Sequence, residues 1–316
     1  MAIHKELKLS LTLQAQRKEA LLNWLAHPQL KAEQNCLYRL DGSSPRSQEK
    51  VLVKQYRNGT FTLQTQSDAT LQEALVALGI LSPTAQTLDT SKVYYPFGAD
   101  ESGKGDYFGA LVTACVHVEA QKLPILKELG ITDSKAMTDA KIQAVAPCLV
   151  EVLGVENVAF LVLMPEGYNR QYEALKSKGK HLNHLLALMH AKTVAGLLQK
   201  QPQKQTEISP PSLMVDQFTQ GSHLLDAMRD FAPSVKVAQS TKAELAHPAV
   251  AAASVIARYK FLESMRHLRE QSGFDLPLGA SAKVVRMGKS IYQSGGMSAL
   301  SQVAKLHFKT TLEVTS

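Results

Sequence analysis

Two adjacent acidic residues, Asp100 and Glu101, stand immediately before a glycine-rich turn. An apolar, strand-like run precedes them, and a second one, Ala110–Val116, follows the turn. Adjacent carboxylates repel each other unless a cation lies between them. Within the turn, Gly103 and Gly105 leave their backbone amides open to close approach by a ligand. Carboxylates for a metal beside amides for a phosphate suggest phosphodiester chemistry.

Two further acids come from other segments. Asp216 lies in the apolar run Leu213–Phe218, where a carboxylate is costly without a partner, so it is either a capping or ion-paired residue or a third metal ligand. Glu244 precedes the alanine-rich segment Ala249–Arg258 and says little alone, because a surface Glu at a helix N-terminus is common. Together the four acids form a set of hard oxygen donors that suits Mg²⁺ or Mn²⁺ rather than zinc. Two such ions can drive phosphodiester cleavage.

The bulk composition is that of a soluble globular protein. The 316 residues are 45% hydrophobic and 20% charged, which is enough for two domains or one large one. A net charge of +7 favours an anionic partner such as nucleic acid, although many basic proteins bind none. The three cysteines are widely spaced, which speaks against a zinc site and a disulfide framework. With neither a signal peptide nor a membrane-length apolar run in the sequence, we expect a cytoplasmic protein.

The first part of the chain predicts a small α+β domain. Its pattern is strand, helix, three strands, helix, with a hairpin at Asn58-Gly59, and it ends in a linker at Ser82–Lys92. We expect 1–88 to form this domain with its linker, and 89–316 to form the second domain. The uncovered sheet face should carry Lys8, Arg39, Lys54, Arg57, Tyr38 and Tyr56. Such a face either tracks a nucleic-acid backbone or is an ordinary solvated surface.

The second part predicts strands and helices in alternation, hence an α/β fold. The predicted strands are Val158–Leu163, which should be buried, Leu213–Phe218 and Val235–Ala238, and the helices are Thr138–Leu149, His181–Leu198 and Ala249–Arg258. Thr138 is a plausible N-cap. Three histidines, His181, His184 and His190, fall on one predicted helix, where packing or solvent explains them better than metal ligation does.

These motifs together resemble bacterial ribonuclease HIII, a type 2 ribonuclease H. The likeness covers 94–310 and rests on Asp-Glu-Ser-Gly-Lys-Gly-Asp-Tyr-Phe-Gly at 100–109, Thr-Asp-Ser-Lys at 132–135, Gly-Tyr-Asn at 167–169, Asn-x-x-Leu-Ala-x-x-His at 183–190, Val-Asp-Gln-Phe at 215–218, Thr-Lys-Ala-Glu at 241–244, Leu-Pro-x-Gly-Ala at 276–280 and Ala-Lys-Leu-His-Phe at 304–308. Glu244 and the Gly-Lys-Gly turn are the forms typical of HIII, where ribonuclease HII has Asp and Gly-Arg-Gly. The N-terminal pattern is similar in topology to that family's TBP-like substrate-binding domain.

The resemblance implies an RNase H-like catalytic domain with a mixed sheet. It implies an endonuclease that cuts the RNA strand of RNA/DNA hybrids with two Mg²⁺ or Mn²⁺ ions, leaving 5′-phosphate and 3′-hydroxyl ends. The catalytic and metal-binding acids would be Asp100, Glu101, Asp216 and Glu244, with Asp100 bridging the ions. The expected substrate contacts are Gly103, Lys104, Gly105, Ser134, Lys135 and Lys242. We expect a monomer without an organic cofactor or a membrane partner.

Other readings remain open at this point. A ribonuclease HII, or another nuclease of this fold that acts on branched DNA, would also use four acids. A non-catalytic hybrid-binding protein would gain nothing from acids that repel phosphates. A nucleotide-binding protein is disfavoured, because Gly103, Gly105 and Gly109 do not fit Gly-x-Gly-x-x-Gly.

Overall fold

A computed structural model describes residues 5–9, 15–34, 36–56, 61–78, 95–131, 134–201, 212–219 and 221–316. The chain divides into two compact units. The first consists of Met1–Val93, Glu119–Gly130 and Ala144–Gly154, and the second of Tyr94–Val118, Ile131–Gln143 and Val155–Ser316. The expected boundary at 88/89 falls outside the described residues and stays a prediction.

The first unit contains an antiparallel sheet of five strands in the order β1-β5-β4-β3-β2. The strands are β1 (Lys5–Leu9), β2 (Ala26–Lys31), β3 (Cys36–Ser43), β4 (Lys50–Tyr56) and β5 (Phe61–Thr65), and the accompanying helices are α1 (Ala15–Trp24) and α2 (Asp68–Ala77). The strands β4 and β5 pair as the hairpin prediction requires, while its turn at Asn58-Gly59 lies outside the described residues.

The prediction of three strands between the two helices is wrong, because β2 is a fourth. Pro28 lies within β2 and argues against a strand, since proline cannot donate a hydrogen bond to a neighbouring strand. β2 is an edge strand with five of its six residues exposed, and an edge position tolerates proline.

The uncovered sheet face differs from the expected one in Tyr38. Arg39 lies opposite Lys54 in the sheet, but Tyr38 is the neighbour of Arg39 along β3 and therefore points to the other face. There the hydroxyl of Tyr38 is buried, and Lys18 of α1 lies 4.9 Å from its ring centre. Burial raises the pKa of Tyr38 to about 12. The side chains of Lys8 and Arg57 lie outside the described residues.

The second unit is built on a mixed sheet of five strands in the order β10-β9-β6-β7-β8. Its strands are β6 (Phe97–Ser102), β7 (Leu111–His117), β8 (Val158–Leu163), β9 (Ser212–Asp216) and β10 (Lys236–Ser240). β7 is antiparallel to β6 and β8, whereas β9 is parallel to β6 and β10. The predicted α/β class with a mixed sheet is confirmed.

Nine α-helices of the described chain follow β6. They are α3 (Leu123–Glu128), α4 (Asp139–Leu153), α5 (Pro165–Lys176), α6 (Leu182–Gln199), α7 (His223–Phe231), α8 (Ala243–Ala246), α9 (Pro248–Ser272), α10 (Ala282–Val303) and α11 (Thr310–Thr315). The backbone of α10 breaks its helical path at Gly295 and Gly296. Over the described residues, every helix is too short or too polar to cross a membrane.

The alanine-rich helix α9 packs closely on β6. A Cβ at Gly98 would lie 2.2 Å from the carbonyl carbon of Ala249 and 2.3 Å from the amide nitrogen of Val250, so only glycine fits there. The small side chains of α9 make the same close approach possible from the helix side. This contact fixes the strand that carries the acidic pair.

The strand β8 has the predicted bounds but is not the buried strand expected. Val158 and Ala159 are buried, whereas Phe160 is 42% exposed and the two residues after it are exposed as well. β8 is the edge of its sheet and has a neighbouring strand on one side only. An apolar run therefore predicted the strand correctly and its burial wrongly.

Candidate active site

Sheet register brings Asp100 and Asp216 to neighbouring positions. β6 and β9 run parallel with Ala99 opposite Val215, and each acid is the next residue of its strand. The acidic pair lies within β6, which continues to Ser102, so the strand ends after the two acids. Parallel register explains why two acids more than a hundred residues apart meet at one edge.

These acids line one cavity of about 490 Å³. Its lining consists of Asp100, Glu101, Ser102, Gly103, Lys104, Gly105, Ser134, Met137, Asp139, Asp216 and Arg258. Three of the four predicted catalytic acids and four of the six predicted substrate contacts therefore share a surface.

The fourth predicted acid, Glu244, is not among the lining residues. It is buried, in the short helix α8. The backbone N–H of the preceding residue, Ala243, donates to Oδ1 of Asp216 at 3.0 Å. The fourth acid is thus tied by its own helix to an acid of the cavity.

Glu101 is contacted by a different basic side chain at each carboxylate oxygen. Nζ of Lys104 lies 3.7 Å from Oε1, and Nε2 of His190 lies 3.1 Å from Oε2. His190 is fully buried in α6, and its ring stacks on Phe218 with centres 5.1 Å apart. Packing was the sequence interpretation of His190, but the structure adds a contact that orients Glu101. The only sequence signal for it was the spacing of the motif at 183–190.

The glycine turn is closed at its ends and open in its middle. Gly103 has a φ of +86°, and a Cβ there would lie 2.1 Å from the carbonyl oxygen of Ala110. Gly109 has a φ of +89°, and a Cβ there would lie 2.4 Å from Sδ of Met265 in α9. At Gly105, by contrast, a Cβ would meet nothing within 4 Å. The turn is held by its flanking glycines and leaves Gly105 accessible to a ligand.

An ion pair in the cavity wall was missed by sequence reasoning. Nε and Nη2 of Arg258 donate to the two oxygens of Asp139 at 2.9 and 3.1 Å. Asp139 opens α4, and the N–H of Lys141 donates to Oγ1 of Thr138 at 3.2 Å, which confirms the predicted N-cap. Asp139 and Arg258 are 119 residues apart in sequence, so local patterns could not pair them.

The remaining predicted substrate contacts have different surroundings. The N–H of Ser134 donates to Oγ of Ser254 in α9 at 3.3 Å, which anchors the start of the short segment Ser134–Ala136. Lys242 is exposed and has a left-handed backbone with φ +55° and ψ +39°, a conformation that is costly for a residue other than glycine. It lies outside the cavity lining but directly precedes Ala243. The side chain of Lys135 is outside the described residues.

Two of the family-like motifs bind each other rather than the cavity. Nδ2 of Asn169 donates to the carbonyl oxygens of Ser301 and Ala304 at 3.1 and 2.9 Å, and its Oδ1 accepts from the N–H of Leu306 at 2.9 Å. The motifs at 167–169 and 304–308 therefore fasten the C-terminal segment to α5.

Lys305 of this segment is buried and reaches the glycine turn. Its Nζ donates to the carbonyl oxygens of Phe108 at 3.3 Å and Gly109 at 2.6 Å. Burial lowers the pKa of Lys305 to about 7, against the opposing charge of Asp106. Oδ1 of Asp106 accepts from the N–H of Gly279 at 2.7 Å, which ties the turn to the motif at 276–280. The C-terminal motifs thus support the turn from behind.

A mixed sheet with acids on adjacent strands is the arrangement of a known nuclease family. The sequence profile of the family described as ribonuclease HII matches 97–311, from β6 into α11, and the chain belongs to this family. Among curated proteins it is similar to the ribonuclease HIII of Bacillus cereus (strain AH187), with 37% identity over 220 residues, and to that of Bacillus licheniformis, with 39% over 215 residues. Each match covers 68% of this chain and 66% or 65% of the relative, slightly under two thirds of its length.

Solved structures extend the likeness over nearly the whole chain. Bst-RNase HIII in complex with Mn²⁺ is 26% identical with a TM-score of 0.62, and a mutant of Bst-RNase HIII is 28% identical with a TM-score of 0.63. Both alignments cover 98% of this chain and 98% of the other. Aquifex aeolicus RNase H3 is 25% identical with a TM-score of 0.52, over 95% of this chain and 99% of that one.

Proposed function

We propose that this protein is a ribonuclease H of the HIII type. It acts as a monomeric endonuclease that hydrolyses the RNA strand of RNA/DNA hybrids and leaves 5′-phosphate and 3′-hydroxyl ends. The observation that carries the proposal is the meeting of Asp100, Glu101 and Asp216 with an open glycine turn around one cavity. Its similarity to proteins named ribonuclease HIII supports the HIII type over HII.

The chemistry of the donors fits Mg²⁺ or Mn²⁺. The cavity presents carboxylate oxygens, and the residue before Glu244 is hydrogen-bonded to Asp216. Hard oxygen ligands are what these ions prefer. A crystal structure of a related protein, Bst-RNase HIII, contains Mn²⁺. We propose that Asp100, Glu101, Asp216 and Glu244 hold two ions, which would supply an activated water and charge stabilisation at the leaving oxygen.

The chain's own residues then bind the RNA strand and orient the acids. The amides of Gly103, Lys104 and Gly105 donate to the ribose 2′-hydroxyl and the neighbouring phosphate, and the 2′-hydroxyl is what distinguishes RNA from DNA. Gly105 is the open point of the turn, which gives a ligand room there. With its proton on Nε2, His190 donates to Glu101 and holds that carboxylate in place.

Side-chain contacts to phosphates complete the proposed site. Lys104 lines the cavity and offers a point charge to a phosphate. Lys242 does not line the cavity, and we propose Lys135 and Lys242 as further phosphate contacts from their place in the sequence motifs. Ser134 supplies a hydroxyl from the cavity wall. Arg258 is a weaker candidate, because both oxygens of Asp139 already take up its guanidinium. The first domain, proposed as 1–88, adds further hybrid-binding surface.

Cleavage of three labelled duplexes tests this function. The substrates are a full RNA/DNA hybrid, a DNA duplex with one ribonucleotide, and plain DNA, each with Mg²⁺, with Mn²⁺ and with EDTA. We expect metal-dependent cutting of the hybrid alone, with 5′-phosphate ends, and a loss of at least about a thousandfold in Asp100→Asn. Asp230→Asn removes the same charge from an exposed position of α7 and serves as the matched control.

Each other outcome would move the assignment. Cutting at the single ribonucleotide would favour ribonuclease HII, and cutting of plain DNA would favour a DNA nuclease of this fold. Hybrid binding without cutting under either metal would leave the non-catalytic binding protein as the better description.

A further inference from the structure

Three histidines from two helices converge away from the acids. His181 is the N-cap of α6, His184 lies in the first turn of α6, and His223 is the first residue of α7. One ligand nitrogen from each lies within 4.8 Å of the other two. In the described part of the chain, this is the one group of three His, Cys, Asp or Glu side chains that meet so closely.

The rings touch one another directly. The ring centres of His184 and His223 are 4.0 Å apart, and those of His181 and His184 are 4.5 Å apart. Nδ1 of His181 and Nδ1 of His184 are separated by 2.6 Å, a hydrogen bond in which one nitrogen donates and the other accepts. At least one imidazole therefore turns a lone pair toward the cluster.

We propose that His181, His184 and His223 form a binding site for one divalent transition-metal ion of the zinc class. Imidazole nitrogen suits Zn²⁺, Co²⁺ and Ni²⁺, whereas the oxygen ligands of the cavity suit Mg²⁺ and Mn²⁺. His181 is exposed, so a fourth ligand from solvent can complete a tetrahedron. The site is separate from the proposed catalytic function and does not depend on it.

The two helices that carry the three rings pack on each other. α6 and α7 share one apolar cluster, with Val194 and Leu198 on one helix and Leu224 and Met228 on the other. Such packing places the ligands before an ion arrives, which lowers the entropic cost of binding.

A short hydrogen-bonded loop also holds the histidine of α7. Oγ1 of Thr219 accepts from Nδ2 of Asn183 in α6 at 3.5 Å and from the N–H of Gly221 at 3.2 Å. Gly221 in turn lies against the ring of His223, where a Cβ would be 3.2 Å from Nε2. The loop therefore ties the first turn of α6 to the start of α7.

Metal binding requires one local movement. Zinc–nitrogen bonds of about 2.0–2.1 Å in a tetrahedron separate the nitrogens by about 3.3 Å. With both Nδ1 atoms as ligands, those of His181 and His184 must part by about 0.7 Å, and Nδ1 of His184 must give up the N–H of His181, from which it now accepts at 3.3 Å. The exposed ring of His181 can rotate to allow it.

The test titrates full-length, chelator-stripped protein with Co²⁺ in the presence of millimolar Mg²⁺, which occupies the carboxylate site. We expect one Co²⁺ per chain with visible absorption bands of a nitrogen-ligated ion, and Zn²⁺ should displace it. His184→Asn and His223→Asn should weaken Co²⁺ binding at least tenfold. His267→Asn, an exposed histidine of α9, is the matched control and should bind as wild type does.

A second variant and a second measurement guard against unfolding. His181→Asn changes an exposed ring and should weaken binding with an unchanged circular dichroism spectrum, and Zn²⁺ should raise the melting temperature of wild type but not of this variant. Equal Co²⁺ binding by all proteins, or none by wild type, would overturn the proposal. So would weaker hybrid binding by the variants in EDTA without any ion binding, which would make the cluster a nucleic-acid contact.

Discussion

The two five-stranded sheets treat their charged residues in opposite ways. In the first, Arg39 and Lys54 lie opposite each other and are both held by Glu33, at 2.8 and 2.5 Å, and Arg39 also pairs with Asp41 at 2.7 Å. In the second, three acids from two adjacent strands line one cavity. The first arrangement neutralises its charges, whereas the second keeps an excess of acids over Lys104 and Arg258 where a cation can bind.

The ion pairs of the first sheet lower the pKa of the carboxyl groups that take part in them. Hydrogen bonds from Lys54 and then Arg39 lower the pKa of Glu33, and a hydrogen bond from Arg39 lowers that of Asp41. These groups are solvated enough that the pairs contribute little to stability. They do reduce the positive field that the sheet face offers to a polyanion. A basic pattern in sequence is therefore a poor guide to a nucleic-acid surface until its acidic partners are known.

Among the variants that compare the two sheets, we expect the largest effect from a change at His190, whose ring contacts Glu101 of the second sheet. We expect His190→Ala to lower kcat on an RNA/DNA hybrid by about 10–100-fold and to raise the Mn²⁺ concentration for half-maximal activity, because Glu101 loses its donor. KM for the hybrid should change less than kcat. Steady-state kinetics at several Mn²⁺ concentrations measures both.

A conservative replacement distinguishes positioning from packing in this experiment. His190→Gln keeps an N–H donor for Glu101 and should recover part of kcat. If alanine and glutamine lower kcat equally, or if only the melting temperature falls, His190 acts through core packing rather than through the carboxylate.

The buried amine of Lys305 is bound by backbone carbonyl oxygens rather than by carboxylates. Lys305 is held by the carbonyl oxygens of Phe108 and Gly109, so Lys305→Met should lower the free energy of unfolding by about 2 kcal/mol through unsatisfied acceptors. Urea unfolding measures this change.

The stability that Lys305 contributes should also depend on pH. The folded pKa of about 7 lies below the ordinary value of 10.5, so the unfolded chain binds more protons between these pH values. Wild-type stability should therefore gain a contribution as pH rises from 7 to 10, which the Met variant lacks.

One result would contradict the predicted pH dependence of the unfolding free energy. Parallel curves for wild type and Lys305→Met between pH 7 and 10 would mean that Lys305 stays protonated in the folded protein. The carbonyl oxygens and the charge of Asp106 would then outweigh its burial.

Sequence patterns predicted the fold class and part of the elements, because periodicity reports local structure. The strands β8 and β9 and the helix α6 follow directly from apolar runs and spacing. The predicted helix at 249–258 covers only the first part of α9, and the helices α5, α7 and α10 were not predicted. The strand β2 escaped because Pro28 is tolerated only at an edge, and edge position is a property of the whole sheet.

The candidate site was predicted only as far as its residue types carried the chemistry. The acidic pair and the glycine turn suggested a metal and a phosphate, and the resemblance to ribonuclease HIII supplied the remaining residues, so most of the cavity's acids were named in advance. Pairs such as Asp139 with Arg258, or Glu101 with His190, join distant segments and need the fold. The three-histidine cluster shows the same limit, because His223 comes from a different helix than its partners.

We expect the smallest effect on hybrid binding from changes to Arg39 and Lys54, whose charges are already paired with acids. The double variant Arg39→Gln/Lys54→Gln should change hybrid affinity less than about twofold. Its salt dependence should stay close to that of wild type, whereas two lost phosphate contacts would reduce the slope by about 1.8. Fluorescence anisotropy from 50 to 200 mM salt, with the catalytic Asp100→Asn background to prevent cleavage, measures both quantities.

The double variant Glu33→Gln/Asp41→Asn removes the acids instead of the cations and is measured in the same assay. It releases Arg39 and Lys54 from their acidic partners and should strengthen hybrid binding and steepen its salt dependence, if this face lies near the nucleic acid. A large loss of affinity in Arg39→Gln/Lys54→Gln would instead mean that these cations exchange their carboxylates for phosphates on binding. The contrast between the two sheets would then hold only for the protein without its substrate.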